Sequence, residues 1–244
     1  MTQTQIGRGP LIEAPTPTGR RGELLDVADV REGLAWLDPT DMFTSWNCTD
    51  ISQTEVCGTD QTPAKTFDGP TLVDGVRFAL YVGGQCKPLT HDVEADLSRV
   101  FDLRESRGVE KWFEVLKLGE GTEAGPAVSA EHALALMENA LGDLYAGLGT
   151  IHMSPYLASL IGGQLRENAG QFSTRQGTKV VVGTGYLSDS MYGTGDVTVY
   201  RSEKVIVDSP DMAQNTVNVL VERAYVVAAD CGAIKISNIP DPTP

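Results

Sequence analysis

The chain has 244 residues, a formal net charge of -14 and an apolar fraction of 41%. That length supports one large domain or two connected lobes with a sizeable core, and the acidic excess argues against any role that depends on neutralising phosphate. The charge serves solubility first, and a sharper reading is a surface that lies near nucleic acid without adhering to it.

Residues 1–22 are rich in Thr, Pro, Gly and Arg, and Pro10, Pro15 and Pro17 bar a regular helix, so an extended arm is expected there. Leu25, Val27, Val30, Leu34 and Leu37 predict a short helix over 26–37, closed by Pro39. Residues 44–74 lack a core pattern and read as a protruding β-hairpin that needs an outside partner to be ordered. A strand is expected over 76–82, stopped by Gly83 and Gly84. The longest helix spans 92–118, with Val93, Leu97, Val100, Phe101, Trp112, Val115 and Leu116 near one stripe and Gly108 as a bend.

Ser129 caps a second helix through Tyr145, with Leu134, Met137, Leu141 and Leu144 facing inward and Gly147 and Gly149 ending it. A short strand over 150–153 runs into Ser154 and Pro155, an N-cap followed by proline at the first helical position. Strands follow over 178–182 and 233–237. Between them, 191–207 and 216–229 read as one long open hairpin. Val217, Val219, Val221, Tyr225 and Val227 share one face of its second arm, and Asn218, Glu222 and Ala224 the other. An arm of about fourteen residues is roughly twice the usual strand length. Helices interspersed with hairpin-forming strands make the class α+β.

No pattern demands chemistry. Gly183-Thr-Gly185 follows a strand, yet the third glycine and the following helix of a dinucleotide site are missing. These glycines read as a tight turn between strands. His91, His132 and His152 are scattered, and His152 reads as a structural hydrogen-bond partner. No Cys-x-x-Cys spacing suggests a metal, so no catalytic, cofactor-binding or metal-binding residue is expected. The N-terminus lacks the apolar core of a signal peptide, so the expectation is folding in a host cytoplasm with Cys48, Cys57, Cys86 and Cys231 as thiols. Cys48 and Cys57 flank a turn that could bring them together after release.

The order of these segments resembles the coat proteins of tailed double-stranded DNA phages, the Hong Kong type (HK-97-like) shell fold. Gly149-Thr-Ile-His-Met-Ser-Pro-Tyr-Leu-Ala-Ser-Leu160 resembles that family's strand-then-helix step, and Gly177-Thr-Lys-Val-Val-Val-Gly-Thr-Gly-Tyr186 its strand before a loop. The stretches 192–207 and 215–229 resemble its peripheral hairpin. Asn215-Thr-Val, Glu222-Arg-Ala-Tyr-Val-Val227 and Asp230-Cys231 are especially similar to coat proteins of phages infecting actinobacteria, as are the Asn47-Cys-Thr, Lys65-Thr-Phe-Asp and Tyr81-Val-Gly-Gly-Gln-Cys86 pieces.

The resemblance implies an N-terminal arm over 1–43, an extended loop over 44–75 and a peripheral domain with a spine helix over 76–127. It further implies an axial domain over 128–190, the peripheral hairpin over 191–229, and a final strand and tail over 230–244. It implies a structural, non-enzymatic virion protein that forms pentamers or hexamers of an icosahedral head around double-stranded DNA. Scaffolding, portal or decoration proteins would be its further partners, and neither membrane nor cofactor is implied. Subunit contacts would fall on Trp46, Lys65 and Phe67 in the loop. They would also fall on Arg201, Lys204, Asp208 and Asp211 around the hairpin tip, which would meet other tips at threefold axes. Some relatives form a lysine-to-asparagine cross-link, and Lys65 sits where such a lysine would lie. Two other readings remain open: an encapsulin-type nanocompartment shell, and a small soluble hydrolase or nucleotide-binding enzyme.

Overall fold

A computed structural model describes residues 21–32, 43–45, 47–48, 71–73, 75–86, 93–213 and 216–241. The elements begin with α1 (Leu24–Val27), β1 (Asp29–Glu32), β2 (Phe43–Ser45), β3 (Thr71–Val73) and β4 (Val76–Cys86). The long helix α2 (Val93–Leu116) leads to β5 (Thr122–Glu123), α3 (Ala130–Leu144), β6 (Thr150–Met153) and α4 (Pro155–Leu160). Strands complete the chain: β7 (Leu165–Asn168), β8 (Gln171–Thr174), β9 (Lys179–Val182), β10 (Met191–Thr194), β11 (Val197–Arg201), β12 (Val205–Asp211), β13 (Thr216–Ala229) and β14 (Ala233–Ile236).

Two cores organise the molecule. In the first, β13 is the central strand: β4 pairs along one side from Val76 opposite Val227 to Cys86 opposite Val217, while β12 and β11 share the other side. β1 adds in parallel to β11. The alternation along β13 puts Val219, Val221, Tyr225 and Val227 into the interior, where Tyr225 and Val227 share a core with Val109 and Phe113 of α2. β4 does not stop at its glycines. Gly83 and Gly84 stay in the ladder, and a Cβ on Gly84 would lie 3.0 Å from Leu97 Cδ1, so the missing side chain lets α2 approach.

The second core lies under a sheet ordered β5-β14-β10-β6-β9-β8-β7. Met137 and Leu141 of α3 pack there with Ile151, Met153, Met191, Ile234 and Ile236. Local signals set its helices as the sequence predicts. The Ser129 hydroxyl accepts the His132 N–H at 3.2 Å, the Ser154 hydroxyl accepts the Leu157 N–H at 3.3 Å, and Pro155 opens α4. Two of the chain's crossings between the sheets lie side by side. Gly195 N–H donates to Asp230 O at 3.1 Å, and Asp230 N–H donates to Asp196 O at 2.9 Å, so the β10–β11 and β13–β14 links are tied side by side.

Several expectations fail for identifiable reasons. The helix expected over 26–37 is four residues long, because residues 29–32 instead satisfy their backbone against the edge of β11. The arm expected over 191–207 is three strands, of which β10 belongs to the second sheet. On α2 the inward face is Phe101, Glu105, Val109, Glu110, Phe113 and Glu114, whereas Trp112, Val115 and Leu116 are 43, 55 and 38% exposed. Three glutamates take positions that a hydrophobic count gives to apolar side chains. The hairpin of β7 and β8 has no counterpart among the predicted elements. At the expected 44–74 hairpin, β2 and β3 pair antiparallel, from Phe43 opposite Val73 to Ser45 opposite Thr71.

Candidate subunit-contact surface and the locks behind it

Trp46, Lys65 and Phe67 lie outside the described residues. The other expected contact residues are placed, and their arrangement differs from a basic cluster answering acidic tips. Arg201 Nη1 donates to Glu105 at 3.0 Å, and Arg201 also pairs with Glu32. Lys204 Nζ bonds Ser98 Oγ at 2.6 Å and Asp102 Oδ1 at 2.8 Å. Both cations therefore serve their own chain. Asp208 and Asp211 sit on β12 opposite Val219 and Thr216, and Asp211 accepts the Ala213 N–H at 3.0 Å. Pro210 does not break the pairing as expected. It stands opposite Val217 on an edge strand, where proline is tolerated, and the strand runs on to Asp211.

The face of the first sheet opposite α2 exposes apolar side chains around Glu222 that sequence reasoning did not single out. Tyr81 stands two strands from Val205, each opposite Glu222, and Val207 stands opposite Leu220. Tyr81 is 73% exposed, and Val205 and Val207 are about half exposed. Grouped exposed apolar side chains of this kind mark interaction surfaces. The alternation that buries Val219 and Val221 could have indicated it, because the same period turns Val205 and Val207 outward.

Behind this surface, α2 carries three buried carboxylates, each spent on a different neighbour. Glu105 Oε1 accepts from Arg201 at 3.0 Å, Arg223 Nη1 at 2.8 Å and the Tyr225 hydroxyl at 2.8 Å, joining α2 to β11 and β13. Burial, and after it the charge of Glu105, pushes the Tyr225 phenol well above its ordinary range. Glu110 accepts the Leu24 N–H at 3.0 Å, the Gly185 N–H at 2.9 Å and the Ser106 hydroxyl at 3.3 Å. Burial pushes its pKa up to about 7 against the opposing pull of those two backbone donors. Glu114 accepts the Leu187 N–H at 3.1 Å and the Tyr192 hydroxyl.

The Gly183-Thr-Gly185 sequence has its explanation here. Neither glycine adopts a left-handed conformation. A Cβ on Gly183 would lie 2.3 Å from the Glu110 carboxyl carbon, and one on Gly185 would lie 2.6 Å from Arg107 O and 2.7 Å from Lys111 N. Gly183 makes room for the Glu110 carboxylate, and Gly185 lets the chain press against the backbone of α2. Gly185→Ala should therefore destabilise the chain by about 1–3 kcal/mol through overpacking. Urea denaturation would measure it, and a loss within error of zero would refute the close-approach account.

His152 is fully buried, with Nδ1 3.2 Å from the Tyr186 hydroxyl and Nε2 3.0 Å from Thr194 Oγ1. Burial pulls its pKa down to about 3, so the ring is a neutral part of the core. Two cysteines depart from expectation, while Cys57 lies outside the described residues. Cys48 is bonded to Cys231, with Cα atoms 5.2 Å apart, not to Cys57 and not free. Sequence proximity favoured Cys57, whereas the fold brings residue 48 to the β13–β14 link. Cys48, Asp230 and Cys231 place potential ligand atoms within 4.8 Å of one another, but the two sulfurs are spent on each other.

No protein-family profile matches the chain, and no curated protein matches it. Solved structures do. A chain of Gordonia phage Cozz matches with a TM-score of 0.56 at 10% identity, covering 97% of this chain and 93% of that one. The mature capsid of bacteriophage PhiM1 matches with a TM-score of 0.52 at 9% identity, covering 99% and 93%. The SrpI encapsulin from Synechococcus elongatus matches with a TM-score of 0.53 at 9% identity, covering 93% and 92%. At these identities the likeness is one of fold, and it runs from end to end: the chain has the α+β, HK-97-like coat-protein fold.

Proposed function

We propose that the chain is the major coat protein of a tailed-phage head, a structural protein that self-associates into pentamers or hexamers of a closed icosahedral shell around double-stranded DNA. The observation that carries this reading is the end-to-end likeness to the PhiM1 capsid chain. The interior supports it: the buried glutamates and His152 are held by structural partners. Burial of the Tyr81, Val205 and Val207 face against another copy would supply part of the driving force, since obligate interfaces commonly hide about 2,000–5,000 Å² and are apolar. The net charge of -14 would let packaged DNA lie against the shell without sticking. Scaffolding, portal and decoration proteins would be its partners in the virion.

Electron micrographs of the purified chain test the proposal. Closed shells are expected, and a monomer or small oligomer under all assembly conditions would refute it. Deleting residues 49–70 should leave the circular dichroism and thermal transition of the subunit near wild type while abolishing shells, because that segment is proposed to lie across a neighbour. Normal particles from the deletion would sink that role. The likeness to the SrpI encapsulin favours a second reading, a nanocompartment shell. Protein cargo co-purifying inside the shells, in place of nucleic acid, would select it.

A further inference from the structure

Cys48 lies just beyond β2, and Cys231 sits in the link that carries the chain from one sheet to the other. Contacts that do not involve sulfur hold both in place. Ala146 N–H donates to Asn47 O at 2.9 Å, and Asn47 Nδ2 donates to Asp230 Oδ2 at 2.7 Å. The Asp230 backbone is bonded on both sides, to Gly195 and Asp196. Cys231 itself has a φ of 61°, a left-handed conformation unusual for a residue with a side chain. The pair is therefore aligned by its surroundings before any bond joins it.

We propose that Cys48 and Cys231 form a redox clamp, open as two thiols in a reducing cytoplasm and closed once the protein is released. Closed, it ties the chain after β2 to the junction between the two sheets. The change of compartment rests on the shell reading, because a virion leaves the reducing cell that made it.

Closure needs an oxidant of the small-molecule disulfide class. One cysteine, as thiolate, attacks that disulfide, forming a mixed disulfide and expelling one small thiolate. The second cysteine, as thiolate, then attacks the protein sulfur of the mixed disulfide, forming the Cys48–Cys231 bond and expelling the second small thiolate. Two protein thiols are oxidised, one small disulfide is reduced, and the two thiol protons end on the two released thiols.

Asp230 has a second part in the clamp. Its Oδ1 lies 4.0 Å from the Cys48 sulfur and 3.8 Å from the Cys231 sulfur, which as a disulfide carry no proton to donate. A reducing thiolate approaching either sulfur meets this negative charge at close range, so the closed bond resists reduction. The bond also closes a loop spanning a sequence separation of 183, which restricts the unfolded chain strongly.

The test traps thiols with a cell-permeant maleimide before lysis and maps peptides by mass spectrometry, then repeats the mapping on protein released without reductant. Cys48 and Cys231 should both be alkylated in the trapped cells and linked after release. A linked peptide already complete in trapped cells, or none after release, overturns the clamp. Reductant should lower the wild-type thermal midpoint by on the order of 10 °C and leave Cys48→Ser unchanged. Equal responses of the two proteins also overturn it. Asp230→Asn should be reduced by a small thiol several-fold faster than wild type, and an unchanged rate removes the guarding role. Peptide mapping reads the bond whether or not shells form, so a failure of the clamp is distinguishable from a failure of the shell reading.

Discussion

Glu105→Ala should be the most damaging single substitution on α2, costing about 3–5 kcal/mol, the range for removing one partner of a buried charged network. The loss is large because of what stays behind. Arg223 and Arg201 would keep their charges beside the sheet without the carboxylate that both donate to, and the Tyr225 hydroxyl would lose its acceptor. Arg223 Nε is already buried without a hydrogen-bond partner, so the guanidinium has little slack. By contrast, Glu32 reaches the same Arg201 from an exposed position, and Glu32→Ala should cost far less than Glu105→Ala. Denaturant titrations of the three proteins measure both effects. Equal, small losses for the two variants would show that the network contributes little beyond surface pairing.

Stability should also fall as pH rises through neutrality, and Glu110 should be the cause. Its pKa in the folded chain is about 7, raised from an ordinary 4.5 by burial and, to a smaller degree, by the charge of Glu23. A raised carboxyl pKa means that the folded state binds the proton more tightly than the unfolded state. The stabilisation is thus fully present below about pH 4.5 and is lost as pH climbs through about 7. The whole swing is on the order of 3 kcal/mol. Glu110→Gln, which cannot ionise, should abolish this part of the slope, so the difference between the two proteins isolates it from every other titrating group. The loss should show as a lower denaturant midpoint at pH 8 than at pH 6 in wild type, a difference that is smaller in Glu110→Gln. Parallel stability curves for wild type and Glu110→Gln from pH 4.5 to 8 would disprove the assignment.

What the sequence made legible was what local chemistry decides. Ser129 and the Ser154-Pro155 pair are helix starts wherever they occur before an apolar periodic run, and the alternation from Val217 to Val227 could only be a strand with one buried face. The order of such elements was enough to suggest the shell fold. What stayed hidden depends on partners distant in sequence. The inward glutamates of α2 look like a solvated face until Arg201, Arg223, Leu24 and Gly185 are brought to them. Nothing near Thr194 shows that the chain changes sheets at Gly195, because the reason is the backbone of Asp230. The bond between Cys48 and Cys231 has the same origin, and so do the ion pairs that Arg201 and Lys204 make within the chain.

The pairing of β4 with β13 has a consequence for when the protein can begin to associate. Val76 waits for Val227, and Asp29 on β1 waits for Thr198, so both early strands of the first sheet are made long before their partners leave the ribosome. Loop closure over such separations is slow, and a nascent chain that lacks β13 has no central strand on which to build. The second sheet is less delayed, since β6 to β9 lie close together in sequence. The order of synthesis therefore acts as a timer: the outward face carrying Tyr81, Val205 and Val207 is completed only once β13 has been made. Half-made chains on neighbouring ribosomes are spared the premature contacts that exposed apolar side chains would otherwise invite.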